Sequence, residues 1–290
     1  MTLQAPAEKN PDLASFSALV TVFALVIGFT YSDDTVEFVM DLADKPYRPV
    51  GPWLVFVLDL VLVSATAVLK WRISGRENSP ATFLRQLFTG WWGLGAALVI
   101  GAHLFLITSA RHREDLGDTA TVWISLAVSS VFVTAMAALL MSALGQGAGS
   151  RSWLVPVVIG TFAVDIASAL WYPVINMKSG CANDISPNYF SDAINLTSIV
   201  VLALGLELNF VRRNAASRDL GQRVVPVFTV VMLCVALALA FSMLVKADLE
   251  PLCGVGAVWH EYISFVVTTQ ALAIGLSTLV WLMVIDASES

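Results

Sequence analysis

The chain has 290 residues, 57% of them hydrophobic and only 13% charged, with mean hydropathy +0.77 and a formal net charge of -6. A soluble domain carries about 25% charged residues, so a water-soluble fold of this composition would expose apolar patches large enough to aggregate. The acidic balance argues against nucleic acid as a partner, and the apolar runs are continuous rather than alternating, which argues against a membrane β-barrel.

What remains is an all-α integral membrane protein, a transmembrane bundle whose first partner is the lipid bilayer. A hydrocarbon core about 30 Å thick takes about 20 apolar residues per helical crossing. Eight stretches meet that length and predict helices near 13–31, 52–71, 86–110, 119–144, 153–177, 190–211, 224–245 and 262–285, in one polytopic domain over 1–290. The segment Met1–Asp12 is polar and holds Pro6 and Pro11, and no small-residue cleavage site follows the first apolar run. That run reads as a permanent helix rather than a signal peptide.

Lys and Arg set the orientation. With the N-terminus in the cytoplasm, the inner segments hold Lys9, Lys70, Arg72, Arg76, Arg85, Arg151, Arg212, Arg213, Arg218 and Arg223. The outer ones hold Lys45, Arg48, Arg111, Arg113, Lys178 and Lys246. The expectation is a multi-pass plasma (inner) membrane protein with both termini cytoplasmic. The outer loops are then acidic, with Asp33, Asp34, Glu37, Asp41 and Asp44 before the second helix and Asp184, Asp248 and Glu250 later. Such a rim either concentrates cations or is an ordinary solvated surface.

Of the three cysteines, Cys181 and Cys253 fall in outer loops and Cys234 inside the seventh predicted helix. An oxidising outer face permits a Cys181–Cys253 disulfide. Two free thiols that never meet is the other reading, because sequence does not give spatial proximity. Cys234 reads as ordinary packing.

The two halves share a layout. Val122-Trp123 and Val258-Trp259 each open the last helix of a half, at an offset of 136 residues. A duplication of four helices, over 13–144 and 153–285, would relate the halves by an axis along the membrane normal and put a pathway at their seam. Similar loop lengths arising by chance would give the same likeness.

The informative side chains are those that a bilayer rejects. Asp59 lies in Val57-Leu58-Asp59-Leu60-Val61, about a third of the way in from the outer face. His103 lies at similar depth on the next predicted helix, Asp165 lies in Ala163-Val164-Asp165-Ile166-Ala167 near the middle of the fifth, and Glu207 lies near the inner end of the sixth. An acid at the centre of a membrane helix costs about 2.5–3.5 kcal/mol on insertion scales, so such groups pair, face the bundle interior or line water. Asp59 beside His103 makes a plausible proton relay. Asp165 is either protonated and neutral or ionised beside a hydrated cavity; Glu207 is close enough to Arg212 and Arg213 to be an interfacial acid. Against all four stands the plainer role of an interhelical hydrogen bond with Ser64, Thr66, Thr161, Ser168, Asn195 or Thr197. Tryptophans and tyrosines at helix ends, Trp259 and Tyr262 among them, read as interfacial anchors.

Several chemistries find no footing. Bis-histidine haem needs two imidazoles at depth, and of three histidines only His103 is there. A retinal lysine, the glycine-rich context of an intramembrane aspartyl protease, Cys/His metal spacing and a phosphate-binding glycine loop are all missing from the sequence pattern. No catalytic residue, metal site or cofactor is expected, and the balance is against an enzyme. The first reading is a proton- or cation-handling transporter or channel, an ion pathway through Asp59, His103, Asp165 and Glu207 that takes protons or monovalent cations. The competing reading is a non-catalytic membrane scaffold or subunit that binds other membrane proteins or itself as a homo-oligomer. A lipid-directed enzyme or receptor is the third.

Overall fold

A computed structural model describes residues 11–72, 79–113, 118–143, 154–171, 180–213, 220–247 and 252–289. Among them run ten helices, α1 (Pro11–Thr30), α2 (Ser32–Leu42), α3 (Gly51–Lys70), α4 (Pro80–Thr89), α5 (Trp91–Arg113), α6 (Asp118–Ala143), α7 (Leu154–Trp171), α8 (Pro187–Arg213), α9 (Leu220–Ala247) and α10 (Val255–Glu289). Each of the eight predicted stretches overlaps one long helix. By length and composition six are able to cross a membrane, namely Gly51–Lys70, Trp91–Ser109, Val122–Ala143, Pro187–Glu207, Val227–Lys246 and Val255–Val284. Two shorter apolar stretches, Val20–Thr30 on α1 and Val155–Val164 on α7, add to them. Large apolar side chains such as Val57, Val61, Leu202, Phe241 and Val280 stand on the outside of the bundle, each more than half exposed. Water would not tolerate that surface and hydrocarbon does, which is the architecture of a multi-pass helical membrane protein.

Two elements differ from the sequence expectation. Residues 32–42, read as an outer loop, form α2, with Asp33 and Asp34 in its first turn where the helix dipole favours acids. Residues 80–89, read mostly as basic inner loop, form α4, which Ser79 caps by accepting from the Thr82 N–H at 3.4 Å, with Pro80 at the first helical position. Both are amphipathic rather than uniformly apolar. Met40 and Ser32 are the buried residues of α2, and Phe83 and Leu87 those of α4. A search for 20-residue apolar runs passes over helices of this length.

The main core draws on every described helix except α2. It includes Val22 and Val26, Val63, Val99, Leu139 and Leu140, Val157, Val200 and Leu204, Leu233, and Ile274 and Leu282. α10 packs on α7, α8 and α9, while α3 packs on α1, α5 and α6. The α7–α10 contact depends on Gly160, where an added Cβ would lie 2.7 Å from the Ile274 Cα. The helix backbones meet there as small residues allow in membrane bundles. Cys234 is a correction: its side chain is exposed on the bundle surface, not packed in the interior.

Cys181 and Cys253 are disulfide-bonded, 72 residues apart. An isolated antiparallel bridge holds the two strand-like segments together, with Ala182 N–H donating to Leu252 O at 3.0 Å and Gly254 N–H to Gly180 O at 2.6 Å. Gly180 (φ 73°) and Gly254 (φ 111°) take the left-handed conformations that this tight pairing needs. The loop after Cys181 is tied to α10 by the buried Glu261 carboxylate, which accepts the Ile185 N–H at 2.9 Å and the Asp184 N–H at 3.5 Å.

Candidate functional site

α3 and α5 run antiparallel, and two side-chain contacts fix their register. Trp92 Nε1–H donates to Thr66 Oγ1 at 2.8 Å, and nearer the disulfide end His103 Nε2 meets Asp59 Oδ2 at 2.6 Å. Asp59 is 0% exposed and His103 4%. The imidazole is wedged between the rings of Phe56 and Phe132, at centroid distances of 5.4 and 5.0 Å. These walls leave the ring little freedom to turn away. The sequence put the two residues at one depth on neighbouring helices; the fold joins them in one hydrogen bond.

That bond satisfies half of the carboxylate. Asp59 Oδ1 is buried and has no protein hydrogen-bond partner, and the same is true of Thr161 Oγ1 on α7. Both residues line a single cavity of about 710 Å³. Its mouth is formed by Asp33 and Glu37 of α2 with Tyr47 and Arg48, and its walls by Phe29, Val55, Leu106, Val128 and Phe132. Ser125 and Ser129 of α6 also face it. The cavity therefore runs from the acidic helix α2 to the buried pair, between α1, α3, α5, α6 and α7.

α2 is held in place by a set of side-chain bonds. Tyr262 O–H donates to Asp34 Oδ1 and Trp259 Nε1–H to Asp41 Oδ2, each at 2.8 Å. The Tyr31 hydroxyl donates to Gln270 Oε1 and the Tyr47 hydroxyl to Asp33 Oδ1. Trp259 is 2% exposed, so it is a buried anchor for α2 rather than an interfacial belt residue. The sequence places Trp259 and Tyr262 at a helix end, and only the position of α2 explains their polar tips.

Crowding of acids on α2 alters their titration. Burial pushes Glu37 up to about 7, helped by Asp33, Asp41 and Asp34. Burial pushes Asp34 up to about 6, opposed by its bond from Tyr262 and helped by Asp33. In the folded protein these groups hold protons more tightly than in the unfolded chain. Their contribution to stability is complete below the unfolded values of 4.5 and 3.8 and is lost as pH rises through about 7 and 6. The melting temperature in detergent is expected to fall as pH rises from 4.5 to about 7, and Glu37→Gln to flatten that slope. An unchanged slope in the variant would place the pH dependence elsewhere.

Of the remaining sequence candidates, the described residues place only the side chain of Glu207. Glu207 is half-buried on α8 and is not a lining residue of the cavity. Asp165 follows Thr161 by four residues on α7, and its side chain lies outside the described residues. Thr66, weighed as a partner for a buried acid, serves Trp92 instead. A second histidine cluster lies at the disulfide end, where Lys246 Nζ donates to His260 Nδ1 and His260 Nε2 meets Ser242 Oγ, each at 2.9 Å. With its Nδ1 lone pair taken by the ammonium, a neutral His260 carries its proton on Nε2 and cannot act as base for the serine. Among the described residues no group of three His, Cys, Asp or Glu could hold a metal ion. Compared with protein families, curated proteins and solved structures, the chain has no match.

Proposed function

We propose that the chain is a proton- or cation-handling transporter or channel whose central group is the Asp59–His103 pair. The observation that carries this reading is a buried carboxylate and imidazole in hydrogen-bond contact on the wall of a cavity that starts at an acidic helix. Ionisable groups at membrane depth are costly and are kept where they face a pathway. The chemistry is simple. A proton moves along the 2.6 Å line between His103 Nε2 and Asp59 Oδ2, and a cation entering past Asp33 and Glu37 finds the second carboxylate oxygen without a protein partner. Asp165, one helical turn from Thr161, is the next group on this proposed path.

The orientation follows the same physics. A disulfide at one end fits an oxidising compartment, and the basic segments fall at the other, so the cavity opens outward with both termini in the cytoplasm. The helix contacts support a parallel repeat. In the first half α3–α5, α5–α6 and α3–α6 pack together, and in the second half α8–α9, α9–α10 and α8–α10 do so in the corresponding order, while the first helix of each half differs: α1 packs chiefly on α3 and α7 on α10.

The test is flux in liposomes that contain the purified protein, read with an internal pH dye and with sodium and potassium gradients. Wild-type protein is expected to dissipate at least one of these gradients, and Asp59→Asn to slow that flux by about 10²-fold or more while still melting cooperatively. Wild-type flux no faster than protein-free liposomes, or an Asp59→Asn variant as fast as wild type, would remove the transport reading and leave a membrane scaffold.

A further inference from the structure

The cavity is larger and more apolar than a proton or a bare monovalent ion requires. One water occupies about 30 Å³, against a cavity of about 710 Å³. That volume falls in the range of about 300–1,000 Å³ typical of small-molecule sites. Much of the wall is hydrocarbon, from Phe29, Val55, Leu106, Ile107, Val128 and Phe132. An inorganic ion gains nothing from such a wall, whereas an organic skeleton is stabilised by leaving water against it.

The polar features call for a donor. Asp59 Oδ1, an acceptor, and Thr161 Oγ1, a hydroxyl that can accept as well as donate, are buried without a protein partner and belong to residues that different helices contribute to one cavity. Among the described residues the mouth carries the acids Asp33 and Glu37 and the base Arg48. A carboxylate ligand would meet Asp33 and the Asp59 oxygen with like charge, and among the described residues no three His, Cys, Asp or Glu gather to hold a divalent metal. A primary ammonium has three N–H donors, enough for both acceptors, and its charge opposes that of the carboxylate.

We propose that the cavity binds a small organic primary ammonium ion, its N–H groups on Asp59 Oδ1 and Thr161 Oγ1 and its carbon skeleton against Phe29, Leu106, Val128 and Phe132. This narrows the cation of the proposed function to an organic amine and rests on that reading of the cavity. Phe132 then has two contacts, its ring perpendicular to that of His103 and its hydrocarbon toward the ligand. Arrival of the ammonium at Asp59 Oδ1 competes with the imidazole for the carboxylate's charge, which couples ligand occupancy to the Asp59–His103 bond.

The experiment is calorimetric titration of the purified full chain in detergent with phenethylammonium and n-butylammonium. The comparison probes are 2-phenylethanol, tetraethylammonium and sodium chloride. Both primary amines are expected to bind saturably. The neutral alcohol, which keeps the skeleton and loses the charge, and tetraethylammonium, which keeps the charge and loses the donors, are each expected to bind at least about tenfold more weakly. Asp59→Asn is expected to weaken amine binding by at least about tenfold. Thr161→Val, a near-isosteric change that spares the carboxylate should Asp59→Asn not fold, is expected to weaken it about threefold. No binding of either amine to protein that passes protons or sodium in liposomes would overturn this inference and leave the proposed function standing. Equal binding of alcohol and amine, or amine binding indifferent to both substitutions, would also overturn it. Amine binding with the expected variant effects, but with no gradient dissipated by the wild type, would support the site and remove the transport reading instead.

Discussion

Replacing His103 by alanine is expected to be one of the most destabilising single changes in this protein. Its Nε2 is the protein partner of a carboxylate that is 0% exposed and whose other oxygen has none. Removing one member of a buried charged pair leaves the other uncompensated, at a cost of about 3–5 kcal/mol. The imidazole also fills the space between Phe56 and Phe132, so truncation adds a cavity. Asp59→Ala should cost a similar amount when His103 is charged and less when it is neutral. The double variant Asp59→Leu/His103→Leu should recover much of the loss, because replacing both partners with apolar groups of similar volume is often neutral or stabilising. Melting temperatures of the two single variants and the double variant in detergent decide the matter. A double variant whose loss equals the sum of the singles would mean that the two residues do not act as a pair. A double variant as stable as wild type yet silent in liposome flux would separate function from folding at this site.

Reduction of the disulfide is the second large effect. Cys181 and Cys253 close a segment of 72 residues that contains α8 and α9. The chain-entropy description assigns about 4 kcal/mol to a loop of that size. The bond also fixes the bridge at Gly180 and Gly254 and the loop that Glu261 holds to α10. Cys181→Ser is therefore expected to lower the melting temperature by several degrees, and reducing agent to do the same to wild type but not to the variant. In sealed, right-side-out vesicles an impermeant maleimide should label this protein at Cys181 and Cys253 only after reduction. Labelling without reduction would show that the two thiols are free, and labelling after reduction only from the opposite side would reverse the orientation.

The fold was legible where the physics is local. A long uninterrupted apolar run has few alternatives to a helix in lipid, because every backbone N–H and C=O must be satisfied within the segment. All eight runs accordingly overlap long helices. The count of helices was less legible. α2 and α4 are short and amphipathic, and their helical character depends on capping by Ser79, acids at the N-terminus of α2, and burial of Met40, Phe83 and Leu87 against neighbours.

For the site, the sequence by itself determined which side chains are out of place in hydrocarbon, since the cost of stranding Asp59 or His103 there is a property of each residue and its depth. It also determined that Cys181 and Cys253 share one end of the bundle. Which groups meet was decided only by the tertiary structure. Asp59 and His103 are 44 residues apart and Cys181 and Cys253 72, and such contacts depend on how helices rotate about their axes when they pack. The same packing gathered Thr161, 102 positions from Asp59, and the acids of α2 around one cavity. A cavity is the space that several helices jointly leave unfilled, and no single segment of sequence encodes it.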